Sequence, residues 1–487
     1  MTGCLLYRYH IASLLPTSTK QLAVKLMASS ADSVVLGVVL LVRHGDRQGF
    51  YQNPLTYTAS NTEITPLGNA QEFQLGTLLR NLYLDASSPS FVQGISTSGF
   101  NQSQVLIRAD AGGEGGVIFD SAVALTQGLW PPTSSANVTL ANGTTVISPL
   151  GGYQYVPIES VEPNEDVSLE GWTSCSPFDQ ATSQFYNSSI FQARQNASQA
   201  LFDILPPYLD GRAVNLQNIW NIFDYMNVQF IHNATFAANL PPTLLAQVRE
   251  LANFHEYGVF TSAQLGGIGN IGGRTILPSI INSFSRIVNA SDPLKFVVEE
   301  ISYKPFLSLF NMTDLAQTNP QLTAIVDYAS VGAFEVRQSS DGSQFIRFNF
   351  KNGTSDANST TYGLFGGTQD IPLAEFVSNL EPVAINSTKQ WCSVCQNNVS
   401  RGCADIAVAP ATLASMHHQP ISPVGAGFLG AGLTAIAFAA LLTAMLLLGM
   451  LSLRRGNRSA TKTTLGDRNG ADNEMNQSGS IKSLVKE

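Results

Sequence analysis

Val34-Val35-Leu36-Gly37-Val38-Val39-Leu40-Leu41-Val42-Arg43-His44-Gly45-Asp46-Arg47 is the stretch from which the rest of the chain can be read. From Val34 to Val42 it is apolar, interrupted only by Gly37, with no polar residue on either face. Such a run fits a strand covered on both sides rather than an amphipathic edge. The strand ends by presenting two guanidinium groups on either side of an imidazole. Arginines hold anionic phosphate oxygens through charge-assisted, often bidentate hydrogen bonds, and a neutral ring nitrogen can attack phosphorus. A merely basic loop is the plain alternative. The R-H-G-x-R order directly after a buried strand favours the phosphate chemistry.

This segment resembles the active-site motif of the histidine phosphatase superfamily, in its acid phosphatase and phytase branch. A second block, Ile64-Thr65-Pro66-Leu67-Gly68 with Gln71, Leu75-Gly76 and Leu78-Leu79-Arg80, is similar to the family's opening of its first helix. A third, Arg108-Ala109-Asp110 and later Ser121-Ala122 to Gln127-Gly128-Leu129-Trp130-Pro131-Pro132, resembles its third-arginine segment. Weaker similarity reaches Tyr328-Ala329-Ser330 and Phe334-Glu335-Val336, and the whole spans Val34 to Cys403. The resemblance implies a phosphoglycerate mutase-like α/β core sheet flanked by helices, with an inserted, mainly helical cap. It also implies that His44 is the nucleophile forming a phosphohistidine, and that Arg43, Arg47 and Arg108 clamp the phosphoryl oxygens. The expected substrate is a phosphorylated small molecule or other phosphoester. No metal or other cofactor is expected, since the arginines already neutralise the transferred group.

Departures from the pattern matter as much. Gln48-Gly49 follows the motif where the family has x-Pro, and Gly112-Gly113-Glu114-Gly115-Gly116 expands the loop after Arg108. In Lys295-Phe296-Val297-Val298-Glu299-Glu300-Ile301-Ser302-Tyr303, the family's second histidine and its acid are replaced by Ser302 and Tyr303. An unperturbed phenol near pKa ~10 is a poor acid. Glu300, two positions before Ser302 and on the same strand face, is a candidate acid, with an exposed, salt-bridged glutamate as the alternative. His255-Glu256 is a further His-acid pair, placed in the cap. Without a strong donor, turnover is expected to depend steeply on the leaving group. The second functional reading is a pseudo-phosphatase that binds phosphorylated ligands without turnover.

The composition excludes other classes. Hydrophobic residues make up 44% of the 487 positions and charged residues 13%, which is not a disordered chain. A net charge of −9 disfavours nucleic acid as a partner.

Between Asp405 and Arg454 no Asp, Glu, Lys or Arg occurs. Within that window, residues 424–453 exceed the ~20 residues that cross a bilayer, and Arg454-Arg455 with Arg458 form a basic stop. One transmembrane helix is expected, with the large N-terminal part luminal or extracellular, at the plasma membrane or in the vacuolar and secretory pathway. Sequons at Asn101, Asn137, Asn142, Asn187, Asn196, Asn233, Asn289, Asn311, Asn352, Asn358, Asn386 and Asn398 fit that side. Cys175, Cys392, Cys395 and Cys403 suggest two disulfides. A zinc site at Cys392-x-x-Cys395 is the competing reading.

The expected organisation is a leader over residues 1–33, which lacks a signal-length apolar run, and a core over 34–132 and 274–410. A cap spans 133–273, a juxtamembrane linker 411–423, the membrane helix 424–453 and a disordered cytoplasmic tail 454–487. Helices are expected over Glu72–Leu84, Ser121–Leu129, Ser183–Leu205, Gln217–Tyr225 and Pro242–Tyr257. The core resumes at Phe284–Val288 and Lys295–Ile301. Val331–Arg337 and Gln344–Phe350 pair as a hairpin around Asp341-Gly342.

Overall fold

The apolar run forms strand β1, Val34–Arg43, buried from Gly37 onward. The computed structural model describes residues 33–57, 62–113, 116–367 and 369–406. After β1 come α1 (Pro66–Tyr83), β2 (Val105–Asp110), α2 (Val117–Leu129), β3 (Glu159–Val161) and α3 (Ser176–Tyr186). Further helices follow, among them α4 (Ile219–His232), α5 (Leu244–Val259) and α6 (Ile271–Val288), then β4 (Phe296–Ile301) and α7 (Lys304–Met312). The chain closes with β5 (Val331–Gln338), β6 (Gln344–Lys351), β7 (Thr360–Tyr362), β8 (Asp370–Pro372) and the short helices α8 (Leu373–Leu380) and α9 (Thr388–Val394).

The sheet order is β8-β6-β5-β1-β4-β2-β3, with β7 on β6. β1 pairs in parallel with β4 and antiparallel with β5. It is therefore central, which is why both of its faces must be apolar. Alternation sends Val38, Leu40 and Val42 to one face, where they join Leu75 and Leu79 of α1 and Leu125 of α2. Val39 and Leu41 go to the other face, into a core that continues through Phe284 of α6, Phe306 of α7, Ile222 of α4 and Val248 of α5. The helical segment expected as a cap thus shares its hydrophobic core with the sheet.

Local chemistry moved several boundaries. The first helix begins six residues earlier than its apolar stripe, because Thr65 caps it and accepts from the Gly68 amide, with proline in the first turn. The helix expected over Ser183–Leu205 is broken into Ser176–Tyr186, Ser189–Ala197 and Gln199–Ile204. Ser188 restarts the second piece by accepting from the Phe191 amide. Phe284–Val288 is the last turn of α6, whereas Lys295–Ile301 supplies β4. The hairpin stands as expected, with Gly342 at φ +85° in its turn.

Cys175 pairs with Cys395 and Cys392 with Cys403. Both sulfurs of Cys392-x-x-Cys395 are consumed, so the zinc reading is replaced by two disulfides: Cys175–Cys395 ties the end of α9 to the start of α3, and Cys392–Cys403 ties α9 to the segment after it. Among the described residues no helix is long and apolar enough to cross a membrane. The expected linker, membrane helix and tail lie outside the described residues, as does the leader before Ser33. Nine sequon asparagines are exposed: Asn101, Asn142, Asn187, Asn196, Asn233, Asn289, Asn358, Asn386 and Asn398. Asn137 is half-buried, while Asn311 spends its amide on Ser262 and Asn270 and Asn352 accepts from the Asp327 amide.

Candidate active site

The motif loop leaves β1 between β4 and β5: the His44 amide donates to the Ile301 carbonyl, and the Ala329 amide to the His44 carbonyl. This position, at the C-terminal ends of the parallel strands where the strand order reverses, is where open α/β sheets bind ligands. The loop is then docked on the start of α1. A Cβ on Gly45 would lie 2.6 Å from the Gly68 carbonyl oxygen, and one on Gly68 would lie 2.1 Å from that of Asp46. Only glycine permits this approach. The Thr65 hydroxyl donates to Asp46 Oδ2 at 2.5 Å, and the Asp46 amide donates to Gln71 Oε1 at 2.9 Å. The Thr-Pro-Leu-Gly block is therefore the seat of the Arg-His-Gly block, which explains their joint appearance in the sequence.

His44 is fully buried, with Nδ1 at 2.8 Å from the Gly45 carbonyl oxygen. A carbonyl only accepts, so this partner assigns the hydrogen to Nδ1. In the neutral ring, Nε2 then holds the lone pair that a nucleophile needs. Beside it lies a pocket with Arg43, Arg47, Tyr303 and Tyr328 on its wall. His44 is set back from that wall, its ring centre 5.6 Å from that of Tyr328.

The Arg43 guanidinium lies 4.4 Å from the Tyr328 ring centre and 5.1 Å from that of Tyr303, and it donates to the Val326 carbonyl. Burial pushes the Tyr328 phenol up to about 12, so it stays neutral. Arg47 pairs with Asp224 at 2.9 Å, and the other Asp224 oxygen accepts from the Phe50 amide at 2.8 Å. Arg249 pairs with Asp327 at 2.5 Å across the mouth. Lys304, at the start of α7, lies 5.1 Å from the Trp172 ring centre. Arg43, Arg47, Arg249 and Lys304 thus outweigh Asp224 and Asp327 on the lining, which favours an anionic ligand. Phe50, Trp220 and Phe223 complete apolar walls.

Two of the expected site residues are elsewhere. Arg108 does not line the pocket. Its guanidinium is held by Glu299 at 3.2 Å, Asp166 at 2.6 Å and Glu159 at 3.4 Å, with Ser279 and Ser168 as further partners. Glu300 does not line it either and is not an exposed, salt-bridged residue. It is fully buried on the α1 side of β4, beside the equally buried Glu72. Neither carboxyl has a hydrogen-bond partner, and burial pushes both well above the usual range, with the charge of Glu72 adding to the shift at Glu300.

Ser302 is buried, and its hydroxyl makes no hydrogen bond. Tyr303 reaches the pocket, and its hydroxyl donates to Glu256 Oε2 at 2.6 Å. Glu256 Oε1 lies 2.7 Å from His255 Nδ1, and His255 Nε2 lies 2.9 Å from the Tyr186 hydroxyl. The cap's His-acid pair therefore stands directly behind Tyr303. Asp224, Arg249 and Asp327 left no signal in the sequence, because each is an ordinary charge on a helix or loop. Lys304 was within reach, directly after Tyr303.

No family model matches the chain. Bovine prostatic acid phosphatase (Bos taurus) is 23% identical over 387 residues, covering 76% of this chain and 89% of that protein. Among solved structures, the phytase of Klebsiella sp ASR1 superposes with a TM-score of 0.52 at 13% identity, covering 73% of this chain and 95% of the phytase. The apo form of Hafnia alvei phytase gives 0.50 at 12% identity, with 76% and 99% covered. The chain has the fold of these phytases, and over most of its length it is similar in sequence to an acid phosphatase.

Proposed function

We propose that this chain is a phosphomonoesterase of the histidine acid phosphatase type, working through a phosphohistidine on His44. The observation that carries the reading is Arg43 and Arg47 on the wall of a cation-rich pocket, with His44 beneath them and its Nδ1 hydrogen assigned to the Gly45 carbonyl. In-line attack by Nε2 forms the P–N bond as the ester P–O bond breaks, and water then cleaves P–N to release phosphate. Arg43 and Arg47 hold the non-bridging oxygens and stabilise their charge in the transition state. The third cation is better supported at Lys304, which lines the pocket, than at Arg108, which is engaged with Glu299 and Asp166. With guanidinium and ammonium groups neutralising the phosphoryl group, turnover should resist chelators.

The test is hydrolysis of an aryl phosphate and an alkyl phosphate by the purified full chain at acidic pH. His44→Ala should reduce turnover to background on both and remove any trappable phosphoprotein. Equal inactivity of wild type and His44→Ala, with phosphate still bound, would instead mean a pocket that binds without turnover. The reading places the site outside the cytoplasm, anchored through residues 424–453. The charge-free span, the exposed sequons and the paired cysteines support this side. Protease added to sealed vesicles should trim only the tail after Arg454.

A further inference from the structure

Tyr303 occupies the place where a proton donor is needed, and a phenol alone is a weak acid. Its surroundings change that assessment. The ring is on the pocket wall, 7% exposed, and the hydroxyl donates to Glu256, a carboxyl 3% exposed. Glu256 in turn meets His255, 2% exposed, and His255 meets Tyr186 at the end of α3. Each link is 2.6–2.9 Å, the range of a direct hydrogen bond. A buried, unbroken chain of titratable groups ending at the reacting pocket is costly to build and serves no packing need that apolar side chains would not meet.

We propose that Tyr303 is the catalytic proton donor to the leaving group, with the Glu256–His255 pair as the store from which its proton is replaced. This inference rests on the phosphatase reading above. The pair holds one transferable proton, and when it resides on Glu256 the hydrogen bond reverses, so that the carboxylic acid donates to the phenol oxygen. The phenol hydrogen then turns to the pocket. As His44 Nε2 bonds phosphorus and the ester P–O bond breaks, the departing oxygen takes the Tyr303 proton and Tyr303 takes the one on Glu256. Alcohol leaves, with Glu256 as a carboxylate held by His255. Water then attacks phosphorus and the P–N bond breaks. The proton lost by water returns through Tyr303 to Glu256, which restores the starting state. Arg43, 5.1 Å from the Tyr303 ring centre, stabilises any transient negative charge on the phenol oxygen.

The experiment compares kcat/KM of the full chain on nitrophenyl phosphate and glycerol phosphate, for wild type, Tyr303→Phe, Glu256→Gln and the double variant. Tyr303→Phe is expected to lose about 10²–10⁴ on glycerol phosphate, and less than ~10-fold on nitrophenyl phosphate, whose oxygen leaves unprotonated. Glu256→Gln, acting only through Tyr303, should show the same selective loss, and the double variant should lose no more than Tyr303→Phe alone. A purely structural role would lower both substrates together. In wild type itself, a series of leaving groups should give a shallow dependence of kcat/KM on leaving-group pKa, a reading that needs no variant to fold. A steep wild-type dependence, or Tyr303→Phe losing equally on both substrates or on neither, overturns the inference while leaving the nucleophile in place. Wild type inactive on both substrates overturns the phosphatase reading and this one with it.

Discussion

Glu299 and Glu300 are adjacent on β4, both fully buried, and face opposite sides of the same sheet. Glu299 pairs in register with Arg108 on β2 and meets its guanidinium, with Ser279 as a second partner. Glu300 pairs with Val42 and Ala109, turns toward α1, and meets Glu72. Burial raises both, but at Glu299 the Arg108 charge opposes the shift, whereas at Glu300 the second carboxyl adds to it. Depth alone does not set a buried carboxyl's charge; the partner across the strand or helix does. The first residue ties β4 to β2 by an ion pair. The second favours its neutral form and the acid side of the pH scale.

The largest effect expected from this contrast is at Arg108. Arg108→Met should cost about 3–5 kcal/mol in denaturant unfolding, because it leaves Glu299 buried without its counter-charge. Stability within error of wild type would show that Glu299 is already neutral and that the two faces do not differ.

The opposite sign is expected on the other face. A raised folded-state pKa contributes stability that is complete below the ordinary glutamate value of about 4.5 and is lost as pH rises through the folded value. Glu300→Gln or Glu72→Gln should therefore match wild type in Tm at the acid end and exceed it at neutral pH, with the gap opening as pH rises. Two parallel Tm–pH curves would mean that the pair carries no penalty and is partnered in solution.

A third buried carboxyl sharpens the comparison at small amplitude. Asp46 of the motif is fully buried, but one of its partners, His232 at the end of α4, is exposed. Solvent screening should limit His232→Ala to within ~1 kcal/mol. A loss as large as that of Arg108→Met would place this contact among the principal ties between α4 and the motif loop.

Much of the architecture was legible. β1 announced itself because a strand covered on both faces must be apolar at successive residues. The Arg-His-Gly-Asp-Arg and Thr-Pro-Leu-Gly blocks were both readable as motifs, although only the structure shows that one is the seat of the other. The hairpin around Asp341-Gly342 was set by local turn chemistry, and the four core cysteines were identifiable without their pairing. Helix ends were less legible, since single hydroxyls at Thr65 and Ser188 shift them by a turn or more.

Within the site, the sequence by itself located His44, the two arginines that flank it, and Ser302-Tyr303 at the end of β4. Arg43, His44 and Arg47 lie on one short segment and Ser302-Tyr303 on another, and within each segment spacing along the chain is also spacing in space. Tertiary structure alone decided the rest. It turned Arg108 to Glu299 rather than to the pocket, set Glu300 against Glu72, and brought Asp224 to Arg47 across 177 residues and Glu256 to Tyr303 across 47. Strand alternation says that two neighbours face opposite ways, but not which way either faces. That phase is fixed by which helix packs on which side, a balance of buried area over the whole core that no local pattern carries.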